Sequence, residues 1–207
     1  MRYLLTKFTF KDVSGIWIFL ILSGIGIISG AFSVFGAETA DVVDYRTFFG
    51  FDPRTTVWII AELHLMFGAF VLGVPMFAVT VEYVGVLTKE ERYDRLAKDF
   101  TRLLSASFAL TAALGGLLTF ALFTLYPKVM TFMSGIFHES FYIYAFFFFG
   151  ETFVLYFYYY SWDRLKNRKG IHISAGVLLN IIGLIIMGIS NSWATYMMSP
   201  SGIDPET

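Results

Sequence analysis

Five stretches of this chain are each apolar over more than 20 residues, and that constrains the fold before any other feature. They run roughly 14–36, 57–86, 101–126, 140–162 and 172–197. A helix needs about 20 such residues to cross the hydrocarbon core of a bilayer. No water is available there to satisfy the backbone, so each stretch must form a helix. The sequence predicts an all-α integral membrane bundle of about five transmembrane helices. The first stretch has no signal-peptidase-like end and is too long for a signal core, so it is expected to be a retained span. Residues 1–12, with Leu4, Leu5, Phe8 and Phe10 beside Arg2 and Lys7, suit a short interfacial helix.

The connecting segments set the orientation. Arg2, Lys7 and Lys11 precede the first stretch. Lys89, Arg92, Arg95, Lys98 and Arg102 lie in 87–102, and Arg164, Lys166, Arg168 and Lys169 in 163–171. The opposite side has Arg46, Arg54 and Lys128, and the tail 198–207 has no basic residue. Twelve against three places the N-terminus in the cytoplasm and the C-terminus outside. Two parts follow: 1–56, with the interfacial segment, the extra helix and an acidic outer loop (Glu38, Asp41, Asp44, Asp52), and 57–207, a four-helix domain.

Composition narrows the function. The chain is 57% hydrophobic, only 15% charged, and has a net charge of −1, so no basic face exists for nucleic acid. Cysteine is absent, which removes disulfides, thiolate metal sites, iron–sulfur clusters and c-type haem attachment within this chain. No Gly-rich phosphate loop, HExxH or nucleophile elbow is present. Aromatic residues make up 19%, which suits lipid-facing bulk and interfacial belts better than walls for a planar cofactor.

Ionisable side chains within spans are costly and mark function by default. His64 lies about two turns into the 57–86 stretch. It can ligate haem iron, or hydrogen-bond between helices or to outer water. Gly68 follows one turn later on the same face, where a flat macrocycle could approach the backbone. Glu62 points nearly opposite His64. Glu151, eleven residues into its stretch, falls near the bilayer midplane at about 1.5 Å per residue. It suits a proton relay, or a structural hydrogen bond to a neighbouring helix. Glu82 and His172 are expected at the inner interface, Glu82 paired with loop lysines. His138 and Glu139 at the outer mouth could be a second ligand, a proton exit or an exposed cap. The Gly115–Gly116 pair predicts close helix packing.

Four ordered motifs carry a resemblance. His64 precedes a span ending VEYVGV. Next come YDRLAKDFTRLLSASFALTAALGG, then FFFFGETFVLYFYYYSWDRL, then NSWATYMMSPSG. From about 57 to 202 the chain resembles the N-terminal four-helix part of subunit I of cytochrome bd quinol oxidases, with one extra N-terminal helix. The resemblance implies that His64 is a haem axial ligand near the outer face and that Glu151 is a buried carboxyl on a proton route, with Thr152 beside it. Asp163 and Arg102 match polar positions at that route's inner entrance. It implies b-type and/or d-type haem, quinol as a substrate bound mainly by a partner chain, and a multi-pass place in a prokaryotic cytoplasmic membrane.

There are departures. Ile143 and Thr119 stand where the family carries acids. The family's later half, with its quinol loop and the low-spin haem ligands, has no counterpart here, so other integral membrane subunits are expected to supply it. The leading expectation is a haem-binding subunit for quinol-linked electron transfer, ending in oxygen reduction. Its rivals are a module that passes electrons from quinone to an outer cytochrome without oxygen chemistry, and a haem-free scaffold. A transporter is disfavoured, because no inverted repeat is visible.

Overall fold

The computed structural model describes residues 50–199. The expected interfacial segment, the 14–36 span, the acidic loop residues Glu38, Asp41 and Asp44, and the tail after Ser199 lie outside the described residues. Within them the chain forms four helices and no strand: α1 (Pro53–Thr88), α2 (Glu91–Leu125), α3 (Pro127–Tyr160) and α4 (Lys169–Met198). All four are long and apolar enough to cross a membrane, and the protein is a multi-pass membrane protein.

Local chemistry sets the ends. Asp52 caps α1 by accepting from the Thr55 amide at 3.0 Å and its hydroxyl at 2.6 Å, with Pro53 in the first turn. Those two bonds hold the Asp52 carboxyl below its usual range. Lys89, at φ 57°, closes α1 in the left-handed region and turns the chain into α2 within two residues. Tyr126 alone separates α2 from Pro127.

The helices overrun the predicted spans. Most of 87–102, expected as an inner loop, is helical, and so is 127–139, expected as outer loop. At about 1.5 Å per residue, the 36 residues of α1 extend about 54 Å, well beyond a hydrocarbon core of about 30 Å. Apolarity reports the hydrocarbon boundary; the helices continue past it into polar surroundings.

Neighbours in the chain are neighbours in space, and α4 returns against α1 to close the bundle. Val71, Val74, Leu104, Phe108, Leu155 and Leu179, drawn from all four helices, form the central core. Many of the largest apolar side chains point outward instead: Phe146 and Phe153 are each 74% exposed. That is the inversion expected where lipid is the solvent.

Two features fix the bundle's ends. In α3, Phe137 leaves helical geometry (φ −105°, ψ 17°). The Ser140 hydroxyl donates to the Phe137 carbonyl at 2.8 Å and accepts from the Trp193 indole at 2.8 Å, tying the kink to α4. Toward the inner end, Gly176 lets α4 meet α1 and α3. A Cβ there would overlap a Val79 methyl and lie 2.9 Å from the Tyr158 ring. Gly176→Ala is expected to lower stability by about 1–3 kcal/mol, read as a fall in thermal unfolding midpoint in detergent; an unchanged midpoint would show that the bundle repacks freely there.

Candidate functional site

His64 stands in the outer half of α1, half-buried, with its ring turned toward α2. Nδ1 lies 3.1 Å from the Thr111 carbonyl oxygen. A carbonyl only accepts, so Nδ1 carries the hydrogen and the neutral ring presents its Nε2 lone pair elsewhere. This is how a metal-binding histidine is commonly oriented, with the far nitrogen anchored to a backbone carbonyl. The approach depends on Gly115, where a Cβ would fall 2.9 Å from the His64 Cε1. Gly115, one of the pair read in the sequence as close packing, thus seats the imidazole. Around Gly68, one turn along α1, an added Cβ would meet nothing within 4 Å.

Among the described residues no three of His, Cys, Asp and Glu converge as a metal cage. A single imidazole nitrogen with open backbone beside it suits an iron that brings its own equatorial ligands, as haem does. His138 and Glu139 lie just past the kink on exposed surface. Their side chains face each other at 3.7 Å, and the His138 ring meets Tyr142 edge-on. The Thr119 hydroxyl is tied back to the Gly115 carbonyl at 2.9 Å, and Ile143 is 49% exposed.

Glu151 is 6% exposed, on α3. Its carboxyl points across to α4, where Oε1 would lie 3.2 Å from a Cβ at Gly183. It lines a cavity of about 310 Å3 between α1 and α4. Thr152 is turned back on its own helix, its hydroxyl donating to the Phe148 carbonyl at 2.8 Å. At the inner surface Asp163 pairs with Lys98 at 2.8 Å, and Arg102, one turn along α2 from Lys98, is exposed.

The densest polar constellation is one the sequence reading placed at an interface. Glu82 and His172 are 1% and 0% exposed. The Glu82 carboxylate accepts from the Tyr158 hydroxyl at 2.8 Å and from Lys169 at 2.9 Å, and the His172 Nδ1 lies 2.7 Å from it. The other ring nitrogen of His172 donates to the Tyr158 carbonyl at 2.8 Å, satisfying a backbone acceptor near the end of α3. Lys169 also pairs with Asp94, which accepts from the Trp162 indole at 3.3 Å. The expectation that Glu82 pairs with a lysine holds. The interfacial setting for Glu82 and His172 does not, because all four helices pack together at this level and exclude solvent from it. The signal was present in the sequence: Glu82 follows a long, mostly apolar run, with four further residues of that stretch still to come.

The sequence model of a family described as cytochrome bd terminal oxidase subunit I matches residues 53–206, which takes in all four helices. No curated protein and no solved structure matches the chain.

Proposed function

The chain belongs to the cytochrome bd terminal oxidase subunit I family, and from that premise we propose that it is a haem-binding subunit of a membrane redox complex. In this reading His64 is an axial ligand near the outer face and Glu151 takes up protons from the inner side. The observation that carries it is the seat of His64: the Thr111 carbonyl fixes the tautomer, and Gly115 gives the ring its place. Haem bound there, of b or d type, would supply one-electron transfer. The protein's part is to hold and orient the ligand, keep water from the apolar core, and carry protons on Glu151. Other integral membrane subunits in a prokaryotic cytoplasmic membrane would provide the rest, including most of the contact with quinol.

The test is a reduced-minus-oxidised absorption spectrum with haem quantitation on the purified complex and on its His64→Ala variant. Haem that depends on His64 supports the reading. A chain without haem of its own would leave a scaffold as the better account.

A second reading has its own support. Ile143 is apolar and Thr119 is committed to its own backbone, so two places where the family resemblance expects acids offer none. That favours electron transfer to an outer cytochrome without oxygen reduction, which consumes protons at the haem. Glu151→Gln separates the two. If Glu151 feeds protons to the reaction, uptake slows by ~10²-fold at unchanged haem content. Electron transfer at wild-type rate in the variant would favour the second reading.

A further inference from the structure

The cavity between α1 and α4 has an unusual lining. Ten of its twelve residues are apolar or glycine, and the other two are Glu151 and Asn180. Asn180 was not singled out in the sequence. Its Nδ2 donates to the Gly176 carbonyl at 2.8 Å. That bond fixes which end of the amide is which, because a carbonyl cannot accept from another oxygen. The Asn180 Oδ1 is left buried with no hydrogen-bond partner. A buried acceptor without a donor costs about 1–3 kcal/mol, so its place on α4 calls for an explanation.

The cavity thus places an unpaired buried acceptor, Asn180 Oδ1, beside the Glu151 carboxyl. A ligand with O–H groups satisfies that acceptor and gives Glu151 a partner for proton exchange. A volume of about 310 Å3 has room for several waters at about 30 Å3 each, or for the hydroxyl-bearing ring of a small phenol entering sideways between the helices.

We propose that this cavity is a binding site for an O–H donor, held by Asn180 Oδ1 against Glu151, which makes Asn180 a positioning residue for Glu151. The inference rests on Glu151 as a proton carrier, but it is tested separately.

The experiment is infrared difference spectroscopy of the complex in lipid nanodiscs, following the Glu151 carboxyl band, identified by its loss in Glu151→Gln. Asn180→Leu is expected to move the band and slow its hydrogen–deuterium exchange about tenfold, the scale of one lost hydrogen bond. Added short-chain hydroquinone identifies the donor. A saturable shift of the wild-type band, absent from Asn180→Leu, assigns a phenolic ligand. A band that responds to D2O but not to hydroquinone assigns water. A band position and exchange rate shared by the wild type and Asn180→Leu would overturn the proposal. Normal proton uptake in Glu151→Gln would instead remove the relay and leave the binding site standing.

Discussion

Glu82→Ala is expected to lose about 3–5 kcal/mol of stability, the usual consequence of removing one partner from a buried ion pair. The substitution leaves Lys169, the Tyr158 hydroxyl and His172 without the acceptor they share. Lys169 keeps Asp94, so its charge is not stranded; Tyr158 and His172 lie at 0% exposure with no water to turn to. Glu82→Gln should lose less, because an amide oxygen still accepts from Tyr158 or Lys169. The comparison to make is with Asp163→Asn. Its pair with Lys98 is about as short, but the Asp163 side chain is 84% exposed, so the loss should stay within about 1 kcal/mol. Chemical or thermal unfolding of the three variants in the same detergent gives the answer. If Glu82→Ala and Asp163→Asn unfold alike, the buried cluster is not what holds the inner ends of the helices together.

His64→Ala is expected to remove the haem assigned to this chain altogether, with the helices intact by circular dichroism. A coordinate bond has no partial substitute in an alanine methyl, and the described part of α1 offers no second imidazole. Gly115→Val extends the test without touching the ligand. Its side chain would occupy the space of the His64 ring, where a Cβ alone already falls 2.9 Å from Cε1. The ring would be driven off its Thr111 anchor, so haem content should fall or the reduced spectrum shift. Retention of a full, unshifted spectrum in both variants would place the haem iron elsewhere and leave His64 as a hydrogen bond between α1 and α2.

The two expectations differ in how legible they were. His64 and Glu151 stood out in the sequence because an ionisable group within a long apolar run is costly wherever the rest of the chain goes. The same reasoning ranked Glu82 and His172 as interfacial, since depth along one helix says nothing about what packs beside its end. Asn180 drew no attention, because a single amide in a span is cheap when it donates to its own backbone. It became informative once its oxygen proved to lack a donor and to share a cavity with Glu151.

What the sequence determined by itself is the solvent and the class of fold. Apolar runs of this length must be helices in a bilayer, and the spacing of the runs sets their order along the chain. It also marked His64 and Glu151, because each is an ionisable group inside an apolar run. The tertiary structure decided the pairings. Gly115 faces His64, Glu151 reaches past Gly183 into a cavity, and Glu82, His172, Tyr158, Lys169 and Asp94 close into one network drawn from all four helices. These contacts join residues up to 90 positions apart. They depend on how each helix is rotated against its neighbours, and that rotation is set by side chains packing together rather than by the composition of any one span.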